Sequence, residues 1–322
     1  MKSLASKNTV SASRREFLGG ALCAGAFFAA GTGSAIGADA PSNRVRLAIA
    51  GLREKGRGVW LLKAAAVLPG VEVAVVCDVD SRAMDFAAEE IFRRTGKRPR
   101  KEKDLRKILE DPEIDGLVAA IPDHWHAASA WMAMEAGKAI YVEKPCSFCG
   151  AEGQVLLRVQ KRTGMVFQMG SKYITYDCLS AVKWRPIEGI GTGCLVFGEG
   201  GAVFFHPSSR VFHYDTAGKK VAEWSDPFAS EWVQSSTGAS EMDLLHLGNF
   251  VDAIRAKDPS MCVAPVYEGV ASTVMAHAAN MAYFTGETVR LDGKTGELLT
   301  KTPEAEALWN REYEKGWEPP KA

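Results

Sequence analysis

The chain has 322 residues, of which 47% are hydrophobic and 24% charged, enough for one large or two ordinary cores in an ordinary globular composition. Lysine plus arginine equals aspartate plus glutamate at 39 each, so the balance gives no footing for nucleic acid or an anionic membrane surface. The seven cysteines lack the dense spacing of a disulfide framework.

The chain opens on an address. Ser13-Arg14-Arg15-Glu16-Phe17-Leu18 places a basic pair before a weakly apolar stretch, Phe17 to Ala30, that ends in small residues around Gly37-Ala38-Asp39-Ala40. That layout is a secretory signal, and the paired arginines followed by Phe-Leu are of the twin-arginine type. The expectation for residues 1–40 is therefore a signal read by the twin-arginine translocase, with a periplasmic or otherwise exported product. The apolar run is too short and glycine-rich to span a bilayer stably. Removal of residues 1–40, with four basic and two acidic side chains, leaves a net charge of −2.

Val45 to Ala50 is an apolar run broken only by Arg46, as suits a parallel strand buried on both faces. It runs into Gly51-Leu-Arg-Glu-Lys-Gly56-Arg-Gly58, and a helical pattern follows from Val59. Strand, glycine turn, helix is the setting of a dinucleotide-binding fingerprint. Gly51 would make the tight turn and Gly56 the close helix–strand packing. Arg53 stands where the middle glycine is usual, and its side chain could lie along the phosphates. A second strand, Val71 to Cys77, ends at Asp78, which lies 22 residues beyond Gly56. An acid there accepts hydrogen bonds from the adenosine ribose and repels a 2′-phosphate, which favours NAD. Arg82 keeps NADP open.

A helix is expected over Ser81 to Arg94, a charged loop over Thr95 to Lys101 and a helix over Lys103 to Glu110. A strand is expected over Ile114 to Ile121, then the loop Pro122-Asp-His-Trp-His126 and a helix closed by Gly137. The strand Lys138 to Val142 runs into Glu143-Lys144-Pro145. This alternation predicts an α/β fold, a Rossmann-type doubly wound parallel sheet over residues 42–172. Ligands of such sheets sit at the carboxyl ends of the strands, where Gly51, Asp78, Pro122, His126 and Lys144 all fall. Lys144 could polarise a substrate oxygen or transfer a proton. Pro145 after it suggests a rigid, cis turn. His126 could hydrogen-bond nucleotide or substrate. Cys146-Ser-Phe-Cys149 is a C-x-x-C, read as two small packed residues opening a helix, since neither a second ligand pair nor a redox setting accompanies it. No metal site is expected.

Ile121-Pro-Asp-His-Trp-His126 and Ala136-Gly-Lys-Ala-Ile-Tyr-Val-Glu-Lys-Pro145 resemble the glucose–fructose oxidoreductase, inositol dehydrogenase and rhizopine-catabolism (Gfo/Idh/MocA) family over residues 44–170. The resemblance implies NAD or NADP as cofactor and a sugar, cyclitol or related polyol as substrate. It also implies Lys144 as the active-site lysine and Glu143 as a cofactor-side residue. Asn249 to Ile254 and Gly269 to Thr273 resemble the ends of exported members.

Family members build a large open sheet after the nucleotide half, which takes on the order of 100 residues. Between Lys183 and Gly238 this chain has under 60. Two hairpins are legible there, Leu195 to Phe205 and Arg210 to Trp224. The family's Asp-x-x-x-His element, which supplies its catalytic histidine, has no counterpart. Residues 173–322 are thus expected to form a smaller α+β substrate or oligomerisation domain with a truncated sheet. His246 and His277 are read as packing residues. Three readings follow: an exported sugar or polyol oxidoreductase, a catalytically weakened nucleotide-binding remnant, and an NAD-dependent glycosidase.

Overall fold

A computed structural model describes residues 44–171, 194–198, 200–206, 210–225 and 241–320. The expected signal and residues 172–193, where the shortened sheet would begin, lie outside the described residues.

Ten strands and eight α-helices are described. The first half runs β1 (Val45–Ala50), α1 (Arg57–Ala65), β2 (Val71–Cys77), α2 (Ser81–Thr95), β3 (Arg100–Glu102), α3 (Leu105–Leu109) and β4 (Gly116–Ala119). It continues with α4 (His126–Glu135), β5 (Ala139–Glu143), α5 (Gly150–Thr163) and β6 (Phe167–Gly170). All six strands are parallel in the order β3-β2-β1-β4-β5-β6. The order reverses at β1, so the crevice between the ends of β1 and β4 is the topological switch point where such sheets bind ligands. One expected loop is a strand: β3 pairs with β2 through Arg100 to Glu102. It is an edge strand of charged residues, and so carries no hydrophobic signal.

The strands alternate as the pleat demands. Leu47, Ile49, Val118 and Tyr141 pack with α1, α2 and, from the second half, Leu247, Phe250 and Val251. Ala48, Ala50, Leu117, Ala119, Ile140 and Val142 pack with α4, α5 and Val266, Val270, Val274, Met281 and Trp309. The second half thus covers both faces of the parallel sheet. Its helices are α6 (Glu241–Ala256), α7 (Val266–Thr285) and α8 (Pro303–Trp309). The expected helix Pro303 to Lys315 is shorter, because the backbone turns extended at Asn310.

Between β6 and α6 in the sequence comes a four-stranded antiparallel sheet in the order β10-β9-β8-β7. Its strands are β7 (Cys194–Gly198), β8 (Gly201–His206), β9 (Arg210–Tyr214) and β10 (Lys220–Ser225). Both expected hairpins are present, with Gly198 opposite Gly201 at one turn and Tyr214 opposite Lys220 at the other. Phe204 is buried and stacks on Phe212, with centroids 6.0 Å apart.

Candidate nucleotide site

The turn after β1 is anchored by its own backbone. The Gly51 N–H donates to the Cys77 carbonyl over 3.0 Å, and Gly51 adopts φ +87°. A Cβ on Gly51 would stand 2.2 Å from the Ala120 carbonyl oxygen, so only glycine lets β1 and β4 end this close together. The Leu52 N–H donates to Asp78 Oδ2 over 2.6 Å, and the Asp80 N–H donates to Oδ1 over 3.0 Å. Asp78 therefore sits at the end of β2 and holds the glycine turn while its remaining lone pairs stay available for a ribose diol. Arg82 is not poised for a 2′-phosphate: its guanidinium lies bidentate on Asp80, at 3.1 and 2.9 Å. Two carboxylates at the end of β2 and an engaged arginine favour NAD electrostatically.

The close-packing glycine is Gly58 rather than Gly56. A Cβ on Gly58 would lie 1.8 Å from the Gly51 carbonyl oxygen, whereas one on Gly56 would meet only its own turn, the Arg53 carbonyl oxygen at 2.9 Å. Gly56 instead closes that turn with a 2.6 Å hydrogen bond to the Arg53 carbonyl and stands at the N-cap of α1. Arg53 is exposed. The first turn of α1 has no side-chain cap and no acidic residue, so its amides and dipole are open to an anion.

Two expected ligand contacts are turned inward. His126 is 2% exposed, with Nδ1 2.6 Å from the Pro145 carbonyl and Nε2 2.8 Å from the Ile121 carbonyl. Both ring nitrogens face backbone carbonyls, which places His126 between the turn after β4 and the turn after β5. Glu143 is also buried, because Arg57 reaches it: Nε donates to Glu143 Oε1 over 2.7 Å and Nη2 to Asp243 Oδ1 over 2.6 Å. Desolvation opposes the Arg57 charge, but the two carboxylates outweigh it and raise the guanidinium pKa. Glu143, the residue the resemblance puts on the cofactor side, is thus held at the end of β5 by Arg57. Arg57 and Asp243 are the residues that sequence reasoning passed over. They are 186 positions apart, and only the fold joins them.

Lys144 and Pro122 are exposed at the same edge. The Lys144–Pro145 peptide is cis, as the sequence suggested. Among the described residues Lys144 has no hydrogen-bond or ion-pair partner, so its Nζ is free to meet a ligand. His246 is 8% exposed, with Nε2 2.9 Å from the Met169 carbonyl. His277 is half-buried with Nε2 3.2 Å from the Ser147 carbonyl. Cys146 and Cys149 are unpaired and buried. Among the described residues no His, Cys, Asp and Glu cluster could hold a metal, and no helix is long and apolar enough to cross a membrane.

The residues present fit a dinucleotide. The glycine turn and uncapped α1 would take the pyrophosphate, Asp78 the adenosine ribose, and the edge between Pro122 and Lys144 the nicotinamide end. Comparison with known proteins agrees. Residues 45–171 match the model of the Gfo/Idh/MocA family, described as an oxidoreductase family with an NAD-binding Rossmann fold. Curated relatives include glycosyl hydrolase family 109 protein 1 of a Shewanella species (strain ANA-3), 31% identical over 135 residues, which are 40% of this chain and 29% of that protein. An alpha-N-acetylgalactosaminidase of Shewanella oneidensis is 30% identical over 135 residues, again 40% of this chain and 29% of that protein. The chain thus spans under a third of the length of these relatives. Among solved structures, an Agrobacterium radiobacter oxidoreductase in complex with NAD+, L-tartaric acid and magnesium matches with TM-score 0.56 and 11% identity, over 76% of this chain and 97% of that one. An NAD-binding oxidoreductase from Klebsiella pneumoniae matches with TM-score 0.56 and 13% identity, over 76% and 98%. At such identities the likeness is one of fold.

Proposed function

We propose that the chain, whose residues 45–171 match the Gfo/Idh/MocA oxidoreductase family model with its NAD-binding Rossmann fold, is an exported NAD-dependent oxidoreductase of a sugar, cyclitol or related polyol. The observation that carries this reading is the exposed Lys144 just after β5, without a partner among the described residues, on the same sheet edge as the Gly51 turn and Asp78. When bound, the nicotinamide ring supplies a hydride acceptor or donor. Lys144 Nζ would hydrogen-bond the reacting substrate oxygen and take or return its proton. Arg57 and His126 fix the backbone from which Lys144 projects, the first through Glu143 and the second through Pro145. The smaller sheet would form the substrate side, while the helices after it pack on the nucleotide half. NADP is the alternative cofactor.

Two measurements test this in order. Purified protein, denatured and examined by mass spectrometry, should release nicotinamide nucleotide. With a substrate found by screening sugars and polyols, Lys144→Ala should lower kcat/KM by about 100-fold or more, the scale of general acid–base catalysis. Unchanged turnover would remove Lys144 from the chemistry. A protein that carries no nucleotide, and gains no thermal stability from added NAD or NADP, would instead be a truncated remnant of the fold.

The names of the curated relatives favour one further reading, an NAD-dependent glycosidase. It separates from the first by product. The nucleotide-loaded protein would cleave an aryl α-N-acetylgalactosaminide without net formation of NADH, whereas a dehydrogenase would accumulate NADH and leave the glycoside whole.

A further inference from the structure

We propose that Arg311 is a positioning residue of the nucleotide site, binding the turn after β4 to the turn after β5 through the buried carboxylate of Glu152. The site assignment of those two turns rests on the function proposed above; the tie itself does not.

Glu152 lies in the first turn of α5 and is fully buried. Its Oε2 accepts from the Phe148 N–H over 2.7 Å, which fixes the turn that follows Lys144 and Pro145. Its Oε1 accepts from the Tyr313 hydroxyl over 3.0 Å and from Arg311 Nη1 over 3.2 Å. The same Nη1 donates to the His124 carbonyl over 2.7 Å, in the turn that follows β4. One guanidinium thus holds one site turn by a carbonyl, and its carboxylate partner holds the other by an amide. A carboxylate buried this completely demands a counter-charge, and Arg311 is the cation its side chain meets.

The surroundings support a built contact. The Arg311 guanidinium carbon lies 5.4 Å from the centre of the Phe148 ring and 4.9 Å from that of Tyr313. Trp317 packs edge-on against Trp125, with centroids 4.5 Å apart. The extended backbone at Asn310 ends α8 and frees the following residues to lie over both turns. His126 makes an inner tie between the same turns, through the Ile121 and Pro145 carbonyls. Arg311 with Glu152 makes an outer one. With both ties in place, Lys144 and the Pro122–His126 turn keep one spacing, which is what a nucleotide lying between them requires.

The test compares wild type, Arg311→Ala and Tyr313→Phe as full chains, by amide hydrogen exchange and by NAD titration. Arg311→Ala should speed exchange at the Trp125 and Phe148 amides while the β1, β4 and β5 amides keep their protection. Its NAD Kd should rise about tenfold. Tyr313→Phe keeps the charge pair and should leave the Trp125 amide protected, so it serves as the reference if Arg311→Ala folds poorly. Unchanged exchange at both turns, or equal acceleration across the whole sheet, would overturn the positioning role. Localised exchange in a protein that binds no NAD in wild type would keep the tie and defeat the nucleotide reading instead.

Discussion

Gly58 and Asp78 carry the steric and polar demands of the glycine turn, and each can be tested alone. A methyl group at position 58 has no room beside the Gly51 carbonyl, 1.8 Å away, so β1 and α1 must separate. Gly58→Ala should cost about 1–3 kcal/mol of stability, the range for overpacking, and Gly56→Ala less. Urea melts of the two variants give the order, and equal losses would return the packing role to both glycines. Asp78→Ala removes the acceptor of the Leu52 N–H together with the expected ribose acceptor. Calorimetric titration should show NAD affinity weakened by about 1–3 kcal/mol, the cost of losing buried hydrogen bonds. Unaltered affinity would move the ribose contact elsewhere. The fingerprint was legible at Gly51 and Asp78 because turn chemistry and strand-end position are local. The exchange of roles between Gly56 and Gly58 was not, since it depends on how steeply α1 leaves the strand.

At the scale of elements, the hydrophobic runs of β1, β2, β4 and β5 declare themselves because both faces of each are buried. β3 does not, being three charged residues at an edge. Position alone identified the ends of β4 and β5 as site turns, yet it said nothing of which way His126 and Glu143 point. Their direction is set by partners distant in sequence, Pro145 for the one and Arg57 for the other. The C-x-x-C at the start of α5 shows the same limit from the other side. Its spacing allows redox or metal chemistry, and burial removes it: desolvation pushes the Cys146 and Cys149 thiols up to about 11. Near pH 8 only about one thiol in a thousand would then be ionised. Ellman's reagent should leave both unmodified in the folded protein and react with both after denaturation. Rapid reaction in the native state would restore a redox reading.

For the whole molecule, the helices of the second half are part of the nucleotide domain's own core: α6 covers one sheet face, and α7 and α8 cover the other. A cofactor held by such a fold would have to travel with it, which is why a signal for folded cargo and a nucleotide site belong together. Replacing Arg14 and Arg15 by lysine should retain the precursor in the cytoplasm, as read by cell fractionation. Normal export of that double variant would discard the twin-arginine assignment. The arrangement also sets a clock on synthesis. Arg57 leaves the ribosome 186 residues before Asp243, an interval of about 10–40 s at ordinary elongation rates. Glu143 follows after 86 residues, but throughout the longer interval Arg57 lacks its second carboxylate, and β1 lacks the covering helix α6. The core of the nucleotide half is therefore completed only once the residues from Glu241 onward have been made.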